Sequence, residues 1–204
     1  MTMAGSIFAA EPNLADTLKA IENRYNNTRT LTAQFEQTVQ VAGGRRSSER
    51  GTLYLSKPGK MRWEYSTPEG KLFLSDAKKI YYVSPAARRV EVSAVKETDD
   101  LRAPLAFLLG KLDFSRDFSR YEISAVQGKQ RIRAFPKSEK SPYEFVEFSP
   151  GPGGVLTEVS VQSRDGSRMD YRFVEQARNT QLAGQLFQFS APPGYEVVEL
   201  RNAR

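Results

Sequence analysis

The chain has 204 residues, 39% of them hydrophobic and 26% charged, with a formal net charge of +6. That is the composition of a globular protein able to bury a sizeable core. It contains no cysteine and no histidine, which excludes disulfides, thiolate nucleophiles and histidine-based triads, removes the usual metal ligands, and argues against an enzyme. The basic residues are scattered and not interleaved with aromatics, which argues against a nucleic-acid surface. No run approaches the ~20 apolar residues of a membrane span.

Residues 1–11 open with a ten-residue stretch that is mostly small and apolar and ends in Ala9-Ala10. They read as a leader remnant or a disordered tail. From 12 to 29 the pattern is helical, with Leu14, Leu18, Ile21 and Tyr25 forming one narrow apolar stripe. Strands follow in close order. Leu31, Ala33, Phe35 and Val39 alternate with polar residues, and the runs 51–56 and 60–65 flank a Lys57-Pro58-Gly59-Lys60 turn. In that hairpin Leu53, Leu55, Met61, Trp63 and Tyr65 share a face. Further strands are predicted at 71–75, 79–84 and 88–95. Over 98–118 the period becomes helical: Leu105, Leu108, Leu109 and Leu112 form a stripe, with capping oxygens at Thr98-Asp99-Asp100 and a weakening Gly110. Strands resume at 121–126, 129–135, 143–148, 155–162 and 168–174. Asp165-Gly166 predicts a type I′ hairpin turn. Lys129, Arg131 and Arg133 alternate on one strand and read as a solvent face, with a patch for anionic lipid head groups as the alternative.

One domain over 12–204 is expected, mainly β with α. About 10–12 strands are too many to stay flat. The predicted architecture is an incomplete antiparallel β-barrel, closed on its concave side by the N-terminal helix and the central helical insertion.

Several stretches together resemble one family. Leu31-Thr32-Ala33-Gln34-Phe35-Glu36-Gln37, Gly51-Thr52-Leu53-Tyr54-Leu55, Lys57-Pro58-Gly59-Lys60-Met61-Arg62-Trp63-Glu64-Tyr65, Leu74-Ser75-Asp76, Pro104-Leu105-Ala106-Phe107-Leu108-Leu109-Gly110 and Phe187-Gln188-Phe189-Ser190-Ala191-Pro192-Pro193-Gly194 are similar, in order, to segments of the outer-membrane lipoprotein carriers, the LolA family.

The resemblance implies a hydrophobic cavity that takes the acyl chains of lipoproteins, lined here by Phe35, Leu53, Leu55, Met61, Trp63, Tyr65, Leu72, Leu74, Leu105, Leu108 and Leu109. It implies a monomeric periplasmic carrier without catalysis, cofactor or metal. Its partners would be acylated lipoproteins, an inner-membrane lipoprotein-releasing transporter and an outer-membrane lipoprotein receptor. Two positions depart from the family pattern. Lys57 stands where an Arg commonly contacts the helical lid, and a lysine offers a point charge in place of a planar fork. Ala77 stands where a Gly is usual; because Ala resists positive φ, a changed turn type is expected there. Two alternatives share the fold. One is a lipid- or lipoprotein-sensing regulatory module, which would carry a second domain. The other is an outer-membrane receptor, which would carry an N-terminal lipidated cysteine.

Overall fold

A computed structural model describes residues 13–95, 112–126 and 128–200. Helix α1 spans Leu14–Asn26. Its start is set by Asn13, whose side-chain oxygen accepts from the Asp16 N–H at 2.9 Å. Asp16 in the first turn and Arg24 in the last complement the helix dipole. At the C-terminus the Asn27 amide and the Thr28 hydroxyl donate to the Asn23 and Arg24 carbonyls, so the helix ends three residues before the predicted limit.

Twelve strands form a single sheet: β1 (Thr30–Gln40), β2 (Arg46–Ser56), β3 (Lys60–Thr67), β4 (Glu69–Asp76), β5 (Lys79–Ser84), β6 (Arg89–Ala94), β7 (Phe118–Val126), β8 (Lys129–Pro136), β9 (Tyr143–Pro150), β10 (Leu156–Ser163), β11 (Arg168–Arg178) and β12 (Glu196–Glu199). Their order is β12-β6-β5-β4-β3-β2-β1-β11-β10-β9-β8-β7. The end strands β12 and β7 do not pair with each other, so the barrel is incomplete. Two antiparallel meanders, β1–β6 and β7–β11, meet at the β1–β11 seam, where Phe35 lies opposite Phe173 and Gln37 opposite Tyr171. One pairing departs from the antiparallel expectation: β12 runs parallel to β6, because the chain beyond β11 returns along the sheet before adding its last strand. A short helix, α2 (Phe114–Asp117), precedes β7. The predicted insertion at 98–118 otherwise lies outside the described residues, as do residues 1–11.

Alternation sorts the strand residues onto two faces. The inner face carries the main core, which includes Phe35, Leu53, Trp63, Phe73, Val159, Tyr171 and Phe173, packed with Ile21 and Tyr25 of α1 and with Leu112 and Phe114. Gly51 stands between Phe35 and Tyr65 in the ladder. A Cβ there would lie 2.0 Å from the Glu64 carbonyl oxygen, so the close approach of β2 and β3 requires glycine.

The outer face corrects one expectation, which places Leu72 and Leu74 on the Trp63 side. In the ladder Phe73 is opposite Trp63, whereas Leu74 is opposite Arg62 and Leu72 opposite Glu64. Both leucines therefore point outward. There Leu72 joins a second cluster with Tyr81, Val83, Val90, Val92, Phe189 and Tyr195. The C-terminal segment supplies the cover: the turn Gly184–Phe187 packs on β3 and β4, the Leu186 carbonyl accepts from Arg62, and Phe189 stacks on Tyr81 at 4.3 Å between centroids.

On the other half of the outer face the predicted basic strand is neutralised. Arg131 and Lys129 pair with Glu158. Arg133 donates to Glu147 at 3.0 and 3.1 Å, and Arg168 reaches its second oxygen at 2.9 Å. Burial alone would raise the Glu147 pKa, but the hydrogen bonds and charges of Arg168 and Arg133 outweigh it and hold the carboxyl below its ordinary value.

Two turns differ from expectation. Ala77 keeps positive φ, at 80°. The left-handed conformation that favours glycine is therefore adopted despite the residue, in a turn where the Asp76 side chain accepts from the Lys78 and Lys79 N–H groups. Asp165-Gly166 is not a type I′ pair, since of the two only Gly166 has positive φ. Its loop runs over four residues, 164–167, with the Asp165 carboxylate capping Ser167.

Ala77→Gly should stabilise the protein by about 0.5–1 kcal/mol, as relief of left-handed strain exceeds the added chain entropy; a thermal melt with an unchanged or lower midpoint would contradict this. Glu147→Gln should cost about 1–2 kcal/mol at neutral pH, less than a fully buried pair because Arg133 remains partly exposed. Because the folded carboxyl titrates below its ordinary value of 4.5, its contribution is complete above that pH and lost as pH falls through the folded value. Urea midpoints of wild type and variant should therefore differ at pH 7 and converge at acid pH.

Candidate functional site

The inner face is an aromatic floor under a helix. Phe35 and Trp63 meet edge to face with centroids 4.8 Å apart, and Phe35 meets Tyr65 at 5.1 Å in the same manner. Tyr171 and Phe173 of β11 reach Trp63 at 5.5 and 6.0 Å. The floor is closed to solvent: Phe35 and Trp63 are each 1% exposed. Of the predicted lining residues, Phe35, Leu53, Leu55, Met61, Trp63 and Tyr65 are brought together in this one cluster. Leu72 and Leu74 are on the opposite face, and Leu105, Leu108 and Leu109 lie outside the described residues. One apolar void on the inner face, bounded by Leu112, Phe114, Phe118, Val146, Phe148, Leu156 and Val159, holds about 20 Å³, room for about one water. A larger groove of about 560 Å³ lies elsewhere, between the first turns of α1 and the 150–154 loop, and is lined in part by Asp16, Thr17 and Gln130.

The predicted helix stripe faces this floor. Ile21 and Tyr25 are buried, and Leu14 and Leu18 are half-buried against the same core. What holds α1 at its C-terminal end is polar. The Lys57 ammonium donates to the Tyr25 carbonyl at 2.8 Å, which ties the end of β2 to the N-terminal helix; the insertion's side of the predicted lid contact lies outside the described residues. Burial lowers the Lys57 pKa, a sign that its charge is partly withdrawn from water. The Tyr25 hydroxyl accepts from the Leu156 N–H at 3.0 Å, and burial pushes this phenol above its ordinary value. The Asn26 amide forms a reciprocal pair with the Leu112 backbone, at 2.9 and 2.8 Å. Glu22 accepts from the Phe114 N–H at 2.9 Å. Helix α1 therefore fastens residues 112–114 to itself through side chains.

Sequence reasoning misses Asn26, Glu22, Gln37, Phe73, Tyr171 and Phe173 as parts of this site. The last two alternate on β11 with Met169, a signal of the same kind as that of β3. Asn26 reads in sequence only as a helix breaker, and nothing local marks its partner at Leu112. Gln37 is buried at 5% exposure on the inner face, two residues after Phe35.

A protein-family model described as outer membrane lipoprotein carrier protein LolA matches residues 26–190. This chain belongs to that family. The outer-membrane lipoprotein carrier protein of Dechloromonas aromatica is 31% identical over 199 residues, covering 96% of this chain and 95% of that protein. That of Nitrosomonas europaea is 28% identical over 192 residues, covering 92% and 91%. Among solved structures, an uncharacterized conserved protein from Thermus thermophilus superposes with a TM-score of 0.54 at 13% identity, over 91% of this chain and 98% of its own. That likeness concerns the fold alone. In this LolA-family chain no described helix is long and apolar enough to cross a membrane.

Tyr25→Phe should destabilise the protein by about 1–2 kcal/mol, since it leaves the Leu156 N–H buried without its acceptor. Chemical denaturation would measure the difference, and a loss under about 0.3 kcal/mol would count against a structural role for this tie.

Proposed function

We propose that this LolA-family protein is a monomeric periplasmic carrier that receives acylated lipoproteins from an inner-membrane lipoprotein-releasing transporter and delivers them to an outer-membrane receptor, without cofactor or chemical step. The observation that carries the proposal is the aromatic inner face covered by a helix whose C-terminal end is tied by a few polar contacts. In this reading α1 and the segment it fastens lift as one cover. Phe35, Leu53, Leu55, Met61, Trp63 and Tyr65 then form the lipid-binding surface, joined by Leu105, Leu108 and Leu109 of the insertion. Lys57 is the contact that sets how readily the cover opens.

The energetics suit a carrier. Each buried acyl methylene contributes about 0.8 kcal/mol, so a dozen supply roughly 10 kcal/mol before ordering costs. The displaced helix returns to the same face on release, so part of that gain is offset and the cargo can leave. Met61 and the aromatic rings suit ligands without fixed shape.

The test is a titration of the protein with a fluorescent fatty-acid analogue, read through the emission of Trp63, the single tryptophan of the chain. Saturable binding with a change in Trp63 emission is expected, and a folded protein that binds no acylated probe would overturn the carrier reading. Lys57→Leu should alter the rate of transfer to an acceptor more than the extent of loading. Equal transfer by both proteins would remove Lys57 from the opening step.

A further inference from the structure

The inner face is not uniformly apolar, and it buries one donor without an acceptor and another whose acceptors are long or weak. Trp63 is 1% exposed, and its indole N–H has no hydrogen-bond partner among the described residues. A buried donor without an acceptor costs about as much as a lost hydrogen bond, and native interiors contain few. The Gln37 side chain, two strands away, is similarly served. Its carbonyl oxygen accepts from the Tyr65 hydroxyl at 3.1 Å, which turns the amide nitrogen toward Met169 and Tyr171. There the N–H groups find a thioether at 3.8 Å and a phenol oxygen at 3.4 Å. A thioether is a weak acceptor, and the phenol distance is beyond the usual range for N–H···O. The two residues share a neighbour: the Tyr171 ring centroid lies 5.5 Å from that of Trp63, and the Tyr171 hydroxyl is the long partner of Gln37.

A purely structural core would gain from apolar residues at these positions. An indole N–H without an acceptor and a carboxamide whose donors meet only a thioether and a distant phenol oxygen are suited to one chemistry: an acceptor that brings no donor of its own. A carbonyl oxygen is such a group. It can enter a dry apolar site at low desolvation cost if donors meet it, and it heads every ester-linked acyl chain.

We propose that the inner face holds a carbonyl-binding site, in which the Trp63 indole N–H and the Gln37 amide donate to the ester carbonyl oxygens of a bound diacyl ligand while its chains lie along Phe35 and Phe173. This rests on the carrier reading above and adds to it a basis for preferring acyl esters over plain hydrocarbon. Met169, flexible and polarizable, gives way as the carbonyl enters. Tyr65 fixes which end of the Gln37 amide faces the ligand.

The test compares two short peptides that differ only in their lipid linkage: a dipalmitoyl glyceryl thioether and its dihexadecyl ether counterpart, which lacks both carbonyls. Wild-type protein should bind the ester form about fivefold to tenfold more tightly, the effect of one to two modest hydrogen bonds. Gln37→Met should weaken ester binding severalfold and leave ether binding within about twofold, and Trp63→Phe, whatever it does to both affinities, should lower the ester-to-ether ratio severalfold. Affinities are read by calorimetry, so the loss of the tryptophan does not matter. Equal affinity of wild type for the two peptides, or equal loss of both in the variants, overturns the carbonyl site while leaving the carrier reading standing. Binding of neither peptide by folded wild type overturns both. Should Trp63→Phe not fold, Gln37→Met and Tyr65→Phe carry the same comparison, since Tyr65→Phe removes the hydrogen bond that orients the amide and should lower the ester-to-ether ratio.

Discussion

Phe35 and Trp63 meet edge to face on a sheet that also brings Tyr171 and Phe173 to the Trp63 ring. Four large side chains from three strands thus share one patch of buried surface, and each strand can keep its partner only in one register. A slip of one residue would turn these rings to the opposite face. The same patch is wide enough to need a cover. Helix α1 supplies it with Ile21 and Tyr25, while its charged residues Lys19 and Glu22 form an ion pair on the helix surface.

Helix α1 belongs to the core through Ile21 and Tyr25, and polar contacts add to its hold. Apolar contact alone would hold α1 by area, and opening would cost in proportion to that area. Here the C-terminal end adds directional bonds from Lys57, Asn26 and Glu22. Such bonds exchange with water when broken, so each opposes opening only modestly. They also define one closed position. In the proposed carrier, a lid of this kind would close accurately without being locked.

Period two in 53–65 is enough to put Leu53, Leu55, Met61, Trp63 and Tyr65 on one face, and the helical stripe from Leu14 to Tyr25 is equally plain. The same rule fails at Leu72 and Leu74, because β4 is buried on both faces and alternation alone does not say which face is inner. The missing information is the long return of the chain, which lays the Gly184–Phe187 turn and Phe189 over the outer side. Lys129, Arg131 and Arg133 look alike in sequence, yet their character depends on Glu147 and Glu158 in strands that only the tertiary fold sets beside them. Gln37 is invisible for a related reason: a glutamine between apolar neighbours reads as an exposed residue until the strand that covers it is known. Ala77 shows the converse, a local preference overruled by the hairpin around it.

The strand order has a consequence for how the molecule comes into being. Each meander is assembled from hairpins between sequence neighbours, which close quickly, whereas β1 and β11 come from opposite ends of the chain and must find each other across everything between. Phe35 and Gln37 belong to one half, Tyr171 and Phe173 to the other. A nascent or half-folded chain therefore has only one side of the greasy basin, and a carrier built this way gains the Tyr171 and Phe173 side only when its two halves are zipped together.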